Sequence, residues 1–303
     1  MTIQTAFSTL ACPDWSWQEL LANGKAAEFD GVEIRLLQRE TDLLARDEFQ
    51  PAHRAQRRTE LQDAGFRVCG LASSVRFDYP SAQEREEQLQ IGSGYLELAS
   101  ELGAGFVRVF GDAFPEGADE ETRRQIIRQV ADGLTRLGDI AGERGLGIVI
   151  ETHGDFADSR VMQAAMEQVR SSAVGVLWDT HHPWRFYGEP LAETFARLRP
   201  WVRHTHWKDS VTRPSHISSA EGSAAEQAAR QLMSGHRPAD YVLFGGGEFP
   251  IVECLRLLKG AGYDGWFSYE WEKAWHPEIE DPEIALPLFP RKLREFWQLL
   301  NHS

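Results

Sequence analysis

The chain has 303 residues, 42% hydrophobic and 26% charged, a globular composition long enough for one large domain or two smaller ones. A formal net charge of −14 disfavours nucleic acid or an anionic membrane as partner, because both need a positive footprint. Three widely spaced cysteines, Cys12, Cys69 and Cys254, form no disulfide framework and fit a reduced cytoplasmic protein, and the N-terminus reads as a poor signal peptide.

Short hydrophobic runs alternate with helical stretches along the chain. Residues 3–9 predict the first strand, and 15–28 a helix capped by Asp14. A second strand at 31–35 precedes a helix at 52–64 that ends at Gly65. The third strand, 66–73, leads to a long helix over 83–102 closed by Gly103. The fourth strand, 105–110, is followed by a helix at 119–144, and the fifth, 147–151, by one at 158–170. The sixth strand, 174–179, precedes a short helix at 190–198, and the seventh spans 201–206. A long irregular stretch then occupies 208–247. A helix at 250–260, an eighth strand at 265–270, a proline-rich crossing and a last helix near 290–300 complete the chain.

Eight strand–helix units in one chain imply parallel strands joined by crossover helices, the pattern of a single α/β domain folded as a (β/α)₈ TIM barrel over 1–303. A doubly wound sheet would carry a glycine-rich turn after the first strand, and FSTLACPDWS is not one.

The last four strands end alike, at Glu151, Asp179, His206 and Glu270. In a barrel those ends ring one mouth, and three carboxylates crowded there repel unless a cation joins them. Three oxygen donors and one imidazole suit Mn²⁺ or Mg²⁺ first, with Co²⁺ or Zn²⁺ as alternatives. His204 lies two before His206 on the same strand face and reads as a support for a ligand or as polar core. Glu33 and Arg108 are charges inside predicted strands, so each needs a partner; they pair with one another or reach substrate hydroxyls. Lys208 is a further candidate for a substrate oxygen, and His153 for a loop or substrate role. Trp178, Trp207 and Tyr269 alternate with the inward residues and should pack against outer helices.

IVIETHG at 148–154, LWDTHHP at 177–183, HTHWKD at 204–209, GGGEFP at 245–250 and GYDGWFSYEWE at 262–272 resemble the xylose-isomerase-like barrels. That group includes sugar isomerases and epimerases, inosose dehydratases and endonuclease IV. The resemblance implies Glu151, Asp179, His206 and Glu270 as metal ligands. It also implies Glu151 and Glu270 as an acid–base pair across a sugar, and His182 as a substrate contact. Strand three ends in GLASS without a histidine, which argues against the larger metal cluster of the nuclease branch.

The expected function is a metal-dependent sugar isomerase or epimerase acting through an enediolate on a free sugar, keto-sugar or polyol. The alternatives are a lyase acting on an inosose or 3-keto-glycoside, a non-catalytic sugar-binding barrel, and a nuclease. The glycines of FGGGEFP fit a turn better than a phosphate cradle. The 208–247 stretch is expected to act as a lid or substrate wall, with a small helix at 218–232, and a homodimer is the expected assembly. Trp271, Trp275 and His276 should pack near the mouth or against a second subunit.

Overall fold

A computed structural model describes residues 3–212 and 240–300. Eight parallel strands close into a barrel: β1 (Gln4–Ser8), β2 (Gly31–Ile34), β3 (Arg67–Arg76), β4 (Phe106–Phe110), β5 (Gly147–Glu151), β6 (Val174–Asp179), β7 (Val202–Trp207) and β10 (Trp266–Tyr269). Closure comes from β1, which pairs with β2 on one side and β10 on the other, placing Phe7 beside both Val32 and Tyr269. The helices are α1 (Trp17–Ala26), α2 (Pro51–Asp63), α3 (Ala82–Leu102), α4 (Glu120–Glu143), α5 (Ser159–Met166), α6 (His182–Tyr187), α7 (Leu191–Leu198), α8 (Ile251–Gly260) and α9 (Pro282–Leu299).

The barrel interior is layered. Ala6, Cys69, Phe106, Val149 and Leu177 form an apolar floor, against which Trp266 packs. Gly70 is required there, because the Phe106 ring occupies the space a Cβ would need. That ring meets His204 at 4.5 Å between centroids, so the polar layer begins directly above the floor. On the outer face, Trp178 stacks on Phe195 of α7, Tyr269 stacks on Phe289 of α9, and Trp207 packs on Phe244 and Phe249. These are the outward positions that strand alternation requires.

Several local expectations change. Ser16, not Asp14, caps α1, because its hydroxyl and Glu19 form a reciprocal capping box, while Asp14 pairs with Arg39. The proline-rich crossing is helical: α9 begins at Pro282 and runs through Pro287 and Pro290. Each interior proline forfeits a helical hydrogen bond. Burial of Leu286, Phe289 and Leu293 against the barrel outweighs that loss. A short helix, α6, follows Asp179 directly and was not expected.

The 208–247 stretch is not wholly irregular. Its ends form an antiparallel ribbon, β8 (Asp209–Val211) with β9 (Asp240–Val242). The predicted helix at 218–232, and Arg213, His216, His236 and Arg237, lie outside the described residues. The glycine turn that follows the ribbon cradles an internal anion: the amides of Gly245, Gly247 and Phe249 all donate to the Asp209 carboxylate. Trp271 is fully buried, stacked on Tyr269, and donates to the Glu280 carbonyl; His276 packs on Tyr241 of the ribbon. Among the described residues no helix is long and apolar enough to cross a membrane.

Candidate metal centre

The ends of β5, β6, β7 and β10 bring Glu151, Asp179, His206 and Glu270 together. One donor atom from each lies within 4.8 Å of the other three. His206 Nδ1 is 3.5 Å from Glu151 Oε1 and 3.2 Å from Glu270 Oε2. The amides of His181 and His182 fix Asp179 Oδ1 at 2.9 and 3.0 Å, and so turn Oδ2 toward the centre. Burial pushes the Asp179 carboxyl up to about 6, against the pull of Lys208. Glu151 Oε2, Asp179 Oδ2 and His206 Nδ1 are buried atoms without a hydrogen-bond partner. Arg108 and Lys208 face the two carboxylate oxygens as counter-ions without completing their hydrogen bonds, and buried polar atoms left so at one point are costly unless a cation completes them. The donor set, three carboxylates and one imidazole, fits a divalent ion such as Mg²⁺, Mn²⁺ or Zn²⁺.

Glu33 determines which nitrogen His206 offers. His206 Nε2 lies 2.9 Å from Glu33 Oε2, His204 Nε2 lies 2.8 Å from the same oxygen, and Ser268 Oγ donates to it at 3.0 Å. A hydrogen on His206 Nε2, directed at Glu33, leaves Nδ1 as the nitrogen that faces Glu151 and Glu270 and that a cation would take once its proton is displaced. Burial alone would raise the Glu33 carboxyl, but His206 and His204 hold it well below the usual carboxylate range. Glu33 therefore pairs with the two histidines and not with Arg108. His204 supports the same carboxylate.

Arg108 turns to the other side. Its Nε is 3.2 Å from Glu151 Oε2, Nη1 donates to the Ser73 carbonyl at 3.0 Å, and the guanidinium lies 3.8 Å over the Phe110 ring. Burial opposes ionisation of Glu151, and Arg108 overcomes it, holding the carboxyl low.

Lys208 is fully buried, not a surface residue. Its ammonium lies 2.6 Å from Glu270 Oε2, 2.5 Å from Glu272 Oε1 and 2.9 Å from Asp179 Oδ2, and it donates to His182 Nε2 at 3.2 Å. Desolvation would lower this lysine, but the carboxylates hold it well above its ordinary value. His182 donates from Nδ1 to the Thr152 carbonyl at 3.0 Å. Burial and Lys208 keep its ring neutral.

At the rim, His153 Nδ1 meets Asp112 Oδ1 at 3.0 Å, and Arg76 holds the other oxygen at 3.0 Å. Asp112 adopts φ +59°, a left-handed conformation uncommon for a non-glycine residue. Sequence reading missed Arg35, Asp112 and Glu272. Arg35 and Glu272 each stand two residues beyond a recognised inward residue, so strand alternation carried the signal. Asp112 had no such signal, because a left-handed turn places it.

The closed barrel and the buried carboxylate–histidine ring define a TIM barrel with a metal-competent site at its C-terminal mouth. A family model described as "Xylose isomerase-like TIM barrel" matches residues 21–287, and the chain belongs to that family. It is 27% identical over 243 residues to an inosose dehydratase of Geobacillus thermodenitrificans, covering 76% of each chain. The fold is similar to L-ribulose 3-epimerase, with TM-score 0.74, 14% identity and coverage of 99% of this chain and 96% of that one. It is also similar to IOLI protein with a bound zinc atom, with TM-score 0.73, 17% identity and coverage of 98% and 99%.

Proposed function

We propose that this protein is a divalent-metal-dependent enzyme that removes a proton next to the carbonyl of a small polyhydroxylated substrate and then expels a β-hydroxyl as water. One observation carries the reading: Glu151 and Glu270 flank His206 at one centre, and Lys208 and His182 stand on the Glu270 side. Glu151, held ionised by Arg108, takes the proton from carbon. The chemistry a bound ion supplies here is polarisation of the carbonyl oxygen and relief of the negative charge that develops on it. The electron pair left on carbon forms the new C=C bond as the C–O bond to the β-hydroxyl breaks. The departing hydroxyl takes a proton from Lys208, whose ammonium also touches His182 and Glu272. The dehydratase relative, matched over three quarters of each chain, supports elimination as the outcome.

A second reading rests on the same two carboxylates. With a proton relayed from Lys208 through Glu270 to the opposite face of the carbon, the enediolate collapses to an epimer, and the likeness to L-ribulose 3-epimerase supports that alternative. Incubation of Mn²⁺- or Mg²⁺-loaded protein with scyllo-inosose and a panel of ketohexoses in D₂O separates the two. Loss of water with a new conjugated carbonyl absorbance is expected for elimination. Deuterium at carbon in an epimeric sugar supports the second reading. Bound metal with neither product nor exchange across the panel overturns both.

A further inference from the structure

Arg35 sits just beyond the end of β2, two residues after the inward-facing Glu33, so it faces the same side one level nearer the mouth. The register puts Ile34 beside Leu71 and Ala72 beside Arg108. Arg35, Ala72 and Arg108 thus form one row across three neighbouring strands, with only a methyl group between two arginines. Both guanidiniums are anchored on β3. Arg35 donates from Nη1 to the Ala72 carbonyl at 3.4 Å and from Nη2 to Ser74 Oγ at 2.9 Å; Arg108 donates to the Ser73 carbonyl.

The two arginines differ in one respect. Arg108 has Glu151 as counter-ion, whereas the hydrogen bonds of Arg35 go to neutral oxygens and it forms no ion pair among the described residues. Arg35 is only 8% exposed, and a guanidinium so buried stays charged and needs an anion. The carboxylates of the mouth are committed elsewhere: Glu33 to two histidines, Glu151 to Arg108, and Asp179, Glu270 and Glu272 to Lys208. Burial and then Arg108 draw the Arg35 guanidinium down to about 10 against the more distant pull of Tyr95, Glu151 and Glu270, none of which bonds to it, so it remains a cation at neutral pH.

We infer that Arg35 is an anion-binding residue beside the metal centre, and that the substrate carries a carboxylate on its polyhydroxylated frame. The inference rests on the reaction proposed above for its location, and it adds the substrate class. A single guanidinium, with the N–H groups left over from its contacts to Ala72 and Ser74, matches one planar monoanion. A phosphate dianion would call for further donors, and the glycine-turn amides of Gly245, Gly247 and Phe249 are already taken by Asp209.

The test is direct binding by calorimetry to metal-loaded protein, using quinate against methyl quinate, D-glucuronate against D-glucose, and D-glucose 6-phosphate as a third arm. Each carboxylate should bind at least about tenfold tighter than its neutral counterpart, the size of one charge-assisted hydrogen bond. That ratio should collapse toward one in Arg35→Met and fall part-way in Arg35→Lys, which keeps charge but loses the fork. Absence of a carboxylate preference in the unaltered protein overturns the inference whether or not either variant folds. So does a ratio unchanged in folded Arg35→Met, which would place the carboxylate on the metal instead. Tighter binding of the sugar phosphate than of glucuronate overturns the carboxylate assignment. Failure of proton exchange with a carboxylate preference intact would count against the reaction and leave the Arg35 assignment standing.

Discussion

Glu33 on β2 reaches across the barrel to His206 on β7, 2.9 Å from Oε2 to Nε2, although β1 and β10 lie between the two strands. The bond fixes the ring of a candidate metal ligand from the side opposite the metal-facing nitrogen. Partners of this kind tune a ligand's orientation and basicity. Replacing Glu33 with Gln should weaken Mn²⁺ affinity by about 10- to 100-fold without removing a ligand. Equilibrium metal titration of the folded variant checks this, and an unchanged affinity would remove Glu33 from the metal site's support.

The barrel and the four strand-end residues were legible in the sequence because both follow from short-range rules. Strand–helix alternation implies the parallel barrel, and residues at strand C-termini share one mouth. What those residues touch was not legible. Glu33 and Arg108 read as two buried charges that pair with one another or reach substrate hydroxyls, and in space each has a partner on a different strand. Lys208 read as a loop-start lysine, because nothing local to HWKD shows that Glu272, 64 residues later, closes over it. Contacts between distant strands depend on barrel register and on side-chain reach, and neither is written in a local window. The final helix was misplaced for the converse reason: Pro287 and Pro290 are strong local breakers, and tertiary burial overrides them.

Each of Glu151→Gln, Asp179→Asn, His206→Ala and Glu270→Gln should lower bound Mn²⁺ or Mg²⁺ well below one equivalent while the far-ultraviolet circular dichroism stays that of the barrel. Inductively coupled plasma mass spectrometry on dialysed protein reads the metal. Full occupancy in all four variants would reject the site, because their donor atoms are the ones that converge within 4.8 Å.

Metal uptake should release protons. In the metal-free protein burial acts to lower the His206 imidazole, but Glu270, Glu33 and Glu151 overcome it and hold the ring well above its ordinary value. At neutral pH the ring therefore carries a proton on Nδ1 that an incoming cation must displace. The sign follows: affinity rises with pH across the neutral range and levels off only above the raised value. Calorimetry at pH 7 in buffers of different ionisation enthalpy should give about one proton released per ion. A release of zero, or affinity that falls as pH rises, would contradict a protonated Nδ1.

Lys208 and the cation share one electrostatic task, and they can be separated by stability. The ammonium contacts Asp179, Glu270 and Glu272, and two of these also face the proposed ion. Removing one member of a buried charge cluster leaves the others uncompensated, at a cost of about 3–5 kcal/mol. Lys208→Met should therefore be strongly destabilised in chelator, where three buried carboxylates have lost their cation. With Mn²⁺ present, Asp179 and Glu270 regain a counter-charge and only Glu272 stays uncovered, so most of the loss should be recovered. Differential scanning fluorimetry of both proteins, with EDTA and with saturating Mn²⁺, gives the comparison directly. The metal-induced rise in Tm should be larger in the variant than in the unaltered protein. An equal rise in both would show that the lysine and the ion compensate different charges, and would separate Lys208 from the metal centre.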